Sequence, residues 1–190
     1  MKKWTTLKQC VMALAVVLNA VFAFMALAFQ LPIYLDSIGT VLIGSLLGPL
    51  YGAVTGLISG TLIGMTFDVY SLYYIPAQIL NGFSAGMIYR TRCMEGKRFP
   101  LGVMAISIPT SIASAIVTAF VFSGLTSSNS TYLVLLMNKL GIGLTLSCFI
   151  VQMFTDYIDE FVSAVVTNAL LKALPGDMKT KIRGDSNGTI

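Results

Sequence analysis

Apolar residues run in long uncharged blocks along this chain: residues 9–35, 37–67, 69–89 and 99–138 contain no Asp, Glu, Lys or Arg. A bilayer crossing takes roughly 20 consecutive apolar residues, so each block is long enough for at least one transmembrane helix.

The breaks inside and between blocks set the expected helices. The first span runs from about Leu7 to Phe29, anchored by Trp4 and ending near Gln30-Leu31-Pro32. The block from Ser37 to Phe67 is too long for one ordinary span and is interrupted by Gly48-Pro49. Proline has no amide donor and clashes with the preceding turn, which divides the block into short helices at about 36–48 and 50–66. Asp36-Ser37 is positioned to cap the first, since a short side-chain oxygen accepts from the free amides of an opening turn. Span four covers about 72–89 and span five about 101–123, followed by a polar outer loop from Gly124 to Thr131. Span six is expected at about 156–174, stopped by Pro175-Gly176.

The apolar stretch 132–154 is the exception, because a full crossing there would carry the final basic cluster to the outside. It is expected as a re-entrant or interfacial helical segment packed on the outer side before the last span, with its backbone buried by protein. The fold class is thus an all-α integral membrane protein of six transmembrane helices. Residues 1–175 form a single transmembrane domain, and residues 176–190 a disordered, polar cytoplasmic tail.

Charge placement orients this arrangement. The basic residues cluster at Lys2, Lys3 and Lys8, at Arg90, Arg92, Lys97 and Arg98, and at Lys172, Lys179, Lys181 and Arg183, with Lys139 the outlier. Lys and Arg near span ends stay in the cytoplasm, so both termini and the loop after span four belong inside a plasma membrane, with a bacterial one expected. The net charge of +4 therefore reports topology and implies no nucleic-acid partner. Only 11% of residues are charged, against roughly 25% in an ordinary soluble domain, and 56% are apolar. The apolar run from Val11 to Phe29 exceeds the roughly 7–15 residues of a signal-peptide core, so cleavage after Ala26-Leu27-Ala28 is not expected. Cys10, Cys93 and Cys148 have no metal-ligand spacing and are expected to be structural.

Glycines recur every fourth residue at Gly44, Gly48, Gly52, Gly56, Gly60 and Gly64, and the interval returns at Gly82 and Gly86. Residues four apart share a helix face, so these faces admit close approach by a neighbouring helix or form a sliding surface against a partner subunit. Ser111, Ala115 and Ala119 make a similar small stripe.

The chain has no histidine and no nucleotide loop, zinc-binding helix motif or nucleophile elbow. It is not expected to be an enzyme, and no catalytic residue, metal site or cofactor is assigned. Polar groups inside apolar spans are costly and mark candidate sites. The candidate substrate-binding residues are Tyr34, Asp36, Asp68, Tyr74, Gln78, Asn81, Asn138, Lys139, Gln152 and Asp156, within an outer polar set that includes Gln30, Tyr70, Tyr73 and Asn129. Gln78 and Asn81 share a face of span four and offer amides to a heterocycle, or to neighbouring helices. The tyrosines equally suit a bilayer interface. Lys139 is open to a ligand contact, to pairing with Asp156 or Asp159, or to snorkelling, and Asp36 and Asp156 to helix capping.

Leu35-Asp36-Ser37-Ile38-Gly39-Thr40, followed by Leu47-Gly48-Pro49-Leu50-Tyr51-Gly52 and Gly56, resembles the substrate-binding S components of energy-coupling factor (ECF) vitamin transporters. The likeness extends in arrangement through span four and the ending Leu170 to Pro175. It implies a six-helix protein that captures a vitamin-like small molecule at its outer face. Such a protein associates with a membrane coupling subunit and two ATPase subunits, which use the ATP. That family docks its coupling subunit through small residues four apart on the first helix. Here Ala15 is followed by Asn19 and then Ala23, leaving a looser stripe through Ala13, Ala20 and Ala23.

The leading expectation is a substrate-capture subunit for a B6 vitamer or a thiamin-precursor pyrimidine, with riboflavin next. A stand-alone secondary transporter or channel would call for an intramembrane charge relay or inverted repeat, neither of which is visible. A membrane scaffold protein would need only the glycine faces.

Overall fold

The computed structural model describes residues 5–121 and 130–183. Expectations for Trp4, Lys2 and Lys3, for Asn129 and the loop around it, and for residues 184–190 lie outside the described residues.

Among the described residues the fold is entirely helical: α1 Thr6–Ala28, α2 Ile38–Leu47, α3 Pro49–Thr66, α4 Tyr70–Tyr73, α5 Ile75–Ile88, α6 Phe99–Ile116, α7 Ser130–Lys139, α8 Leu144–Ala173 and α9 Gly176–Arg183. Two stretches, Thr6–Ala28 and Gly96–Val121, are long and apolar enough to cross a bilayer. Large apolar side chains face outward in many places, and polar side chains are buried beside the apolar core of Ile43, Ile63 and Val103. Leu14, Met65 and Phe120 are more than 70% exposed, while Asn19, Thr40, Ser59 and Glu160 are essentially buried.

The division at Gly48-Pro49 has a plain cause. Gly48 has φ +107, in the region that favours glycine, and Pro49 opens α3 where its missing amide costs nothing. α3 then packs most extensively on α5. A Cβ on Gly52 would fall into the Gly82 carbonyl, one on Gly82 into the Gly52 carbonyl, and one on Gly56 into the Gln78 carbonyl. Gly44 meets Gly82 and Gly86 in the same way, Gly60 meets Ile75 and Gly64 meets Leu72. The small-residue faces thus meet within this chain, at backbone-to-backbone distance. On α1, Ala13 is exposed, Ala20 half-buried and Ala23 fully buried, so that stripe is divided between exterior and interior.

Asn19 organises the centre. Its Nδ2 donates to Thr40 Oγ1 at 2.8 Å and to Ser59 Oγ at 2.9 Å, and its Oδ1 accepts from the Gly39 amide at 2.6 Å. One side chain ties α1, α2 and α3 together and satisfies an amide in the first turn of α2. The expected cap is therefore corrected: Ser37 stands at the N-cap position of α2 but its side chain makes no capping bond. Its hydroxyl bonds Ser163 on α8 at 2.8 Å instead, and the Asp36 carboxylate is engaged elsewhere.

Three further expectations are corrected. Residues 132–154 are not one separate segment: α7 ends at Lys139, the chain turns with Gly141 at φ +89, and α8 starts at Leu144, well before Asp156. α8 runs unbroken for 30 residues because its polar residues fall on one face and do not interrupt it. The helix expected at 72–89 begins with the single turn α4 and is offset at Tyr74 before α5. The polar tail starts as helix α9, whose Ile182 is buried against the cluster of Met12, Leu46 and Tyr51.

Candidate functional site

α8 supplies one wall of the site. Gln152, Asp156, Asp159, Glu160 and Ser163 recur at helical spacing, and the spacing turns this face toward α2 and α6. The link 31–37 between α1 and α2, the short α4, α5 and α6 complete an enclosure of about 90 Å³.

Of the sequence-predicted residues, Tyr34, Asp36, Asp68, Tyr74, Gln78, Asn81, Gln152 and Asp156 line this cavity. Asn138 and Lys139 do not; both are exposed at the end of α7. Gln30, Tyr70 and Tyr73 also lie outside the lining. The lining adds residues that were not anticipated as ligand groups, above all Asp159 and Glu160. The signal for them was present, since they stand three and four residues beyond Asp156 and so on its helix face. Placing a span end at Asp156 concealed it.

Hydrogen bonds fix these groups between elements. Gln78 Nε2 on α5 donates to Asp36 Oδ2 at 2.5 Å, and Asn81 Nδ2 one turn later donates to Glu160 Oε1 at 2.5 Å. Asp159 Oδ1 accepts from the Leu35 amide at 3.0 Å. Leu35 has φ +53, a conformation uncommon outside glycine, and this bond from α8 helps hold it there. The Tyr34 hydroxyl and the Ser71 hydroxyl both donate to Asp68 Oδ2, the latter at 2.7 Å.

A second node forms at Thr118, in the π-turn Val117–Val121 that ends α6. Its hydroxyl donates to the Ser114 carbonyl at 2.9 Å and accepts from Gln152 Nε2 at 2.7 Å. With its proton committed, it also accepts from the Tyr74 hydroxyl at 2.6 Å. Tyr74, before α5, and Gln152, on α8, are thereby held by one threonine.

The chemical character of the enclosure is acidic. Asp36, Asp68, Asp156, Asp159 and Glu160 all line it, and none of the lining residues is Lys or Arg. Four buried oxygens of lining residues, Gln78 Oε1, Asn81 Oδ1, Asp156 Oδ2 and Glu160 Oε2, have no hydrogen-bond partner. Nearly all buried polar atoms in proteins are paired, so these oxygens mark unspent binding capacity. No group of three His, Cys, Asp or Glu side chains among the described residues is arranged to hold a metal ion.

No family model, curated protein or solved structure matches this chain.

Proposed function

We propose that the chain is a multi-pass membrane protein that captures a small polar solute in this cavity. In this reading it is the substrate-capture subunit of an ECF-type importer, and delivery depends on a membrane coupling subunit and two ATPases. Its six crossings would be α1, α2, α3, the α4–α5 unit, α6 and α8, with α7 at the outer surface and both termini in the cytoplasm.

One observation carries the proposal: an apolar-faced helical protein encloses a polar cavity whose buried oxygens are incompletely paired. Polar groups at such depth are expensive, and a scaffold would have no use for leaving them unpaired. The resemblance at Leu35 to Thr40 and Leu47 to Gly52 adds the importer context, since Asp36 and Ser37 of the first motif lie on the cavity wall.

The test is thermal unfolding of the detergent-purified full chain against a panel of B vitamins and precursors, with Gln78→Ala alongside. Binding to the folded state alone raises its stability, by about 2.7 kcal/mol at a hundredfold excess over Kd. A shift from one compound that is lost in the variant supports capture. A flat panel on a well-folded sample would point to a scaffold.

A further inference from the structure

The amides of Gln78 and Asn81 each spend an N–H on a carboxylate, and this fixes their orientation. Flipping either would set oxygen against oxygen. Their carbonyl oxygens, Oε1 and Oδ1, are therefore the ends left over, and both lack a partner, as does Glu160 Oε2. The residues concerned are at most 8% exposed. Asp156 Oδ2 is unpaired in the lining too, and all four vacant positions are oxygens that can accept, so a bound molecule that completes them brings donors.

Charge points the same way. The bonds made to Asp36, Asp159 and Glu160 come from two amides and one backbone N–H, which are neutral donors. Asp156 joins them in the lining, with no basic residue beside them. Carboxylates gathered at low dielectric repel one another until they take up protons or a positive charge enters, and a bound cation is what lets them stay ionised. Tyr34 and Tyr74 contribute aromatic rings, whose faces attract cations. The acids do not converge on a metal-sized point, so the charge has to be spread over a larger group. An engineered cavity of roughly 150 Å³ admits benzene, and 90 Å³ is smaller, which limits the enclosed part of the ligand to a single ring or less.

We propose that the cavity selects a small organic cation with several N–H donors, of the amidinium, protonated aminopyrimidine or alkylammonium class, held by Asp159 and Glu160 and read by the Gln78 and Asn81 carbonyl oxygens. This rests on the capture reading and narrows it, moving weight from neutral ring systems to nitrogen bases that carry charge.

Matched pairs separate the two. The full chain in detergent at neutral pH is unfolded thermally with pyridoxamine against pyridoxine, and with benzamidine against benzamide; within each pair the essential difference is the cationic group. The cationic member should raise Tm by roughly 5–10 °C at a hundredfold excess over its Kd, with little effect from the neutral one. Asp159→Asn combined with Glu160→Gln removes charge at nearly constant shape and should weaken cation binding tenfold or more. Circular dichroism and size exclusion establish that this variant is folded; if it is not, the matched pairs decide alone. An equal or larger shift from the neutral members overturns the cation assignment and leaves capture standing. Undiminished cation binding by the folded variant overturns the assignment too. No shift from any of the four compounds at millimolar concentration overturns both.

Discussion

Asn81 and Glu160, 79 residues apart in sequence, meet at 2.5 Å and join α5 to α8 beside the cavity. Both are at most 2% exposed, so each depends on the other for part of its hydrogen bonding. Removing one partner leaves the other buried and unpaired, whereas replacing both with apolar groups avoids that penalty. Asn81→Leu alone should cost about 2 kcal/mol or more, and Asn81→Leu with Glu160→Leu less than the sum of the two single changes. A double-mutant cycle from thermal or denaturant unfolding should return a coupling of about 1–3 kcal/mol. Strict additivity would mean that the contact does not join the helices.

Asn19 makes three bonds to three different residues, one of them to the Gly39 amide in the first turn of α2. Asn19→Leu should therefore lower stability by about 2–4 kcal/mol, although leucine suits the surroundings of an apolar helix better. At about 2–4 °C per kcal/mol for a chain of this size, the expected fall in Tm is roughly 4–16 °C. An unchanged Tm would show that α2 does not depend on this amide.

The α3–α5 contact is sensitive to a single carbon. Gly82→Ala sets a methyl group against the Gly52 backbone, which cannot swing aside as a side chain can, so the variant should be poorly recovered as monodisperse protein. Gly143→Ala meets nothing within 4 Å and should behave as the parent. Comparable yields and melting curves for the two would contradict the packing.

The proposed topology places the 3₁₀ turns Arg92–Met94 and Gly96–Arg98 and the turn after α7 on opposite sides of the membrane. In a chain carrying Cys10→Ser and Cys93→Ser, Asn138→Cys should react with an impermeant maleimide on intact cells, and Lys97→Cys only after permeabilisation. Both positions are exposed, so a missing signal reports sidedness and not burial. Labelling of Lys97→Cys on intact cells would invert the arrangement.

Much of the helix order was legible because two local signals are strong. Uncharged blocks announce helices, and Gly48-Pro49 announces a break whatever surrounds it. Gln78, Asn81 and Gln152 were legible as candidate site residues for a related reason, since a polar side chain within an apolar block has few places to go. Asp159 and Glu160 were not, because a last span that starts at Asp156 cuts them off from Gln152 and hides the continuous polar face of α8. A helix that keeps its acids on one interior face passes straight through them. Lys139 was misleading in the opposite sense: its isolation suggested a site, yet the turn at Gly141 leaves it on the outside of α7. The Asp36-Ser37 cap failed because the competing partners, Gln78 and Ser163, lie far away in sequence.

The brevity of α2 has a consequence for the distance a solute must travel. Ten residues rise about 15 Å, half the apolar thickness of a bilayer of about 30 Å. If Gly48 sits at the cytoplasmic boundary, Asp36 and Ser37 stand near the midplane, beneath a vestibule rather than at the rim. In the proposed importer, a solute resting against them would have completed half its passage by diffusion, and a conformational change would have only the remaining half to accomplish.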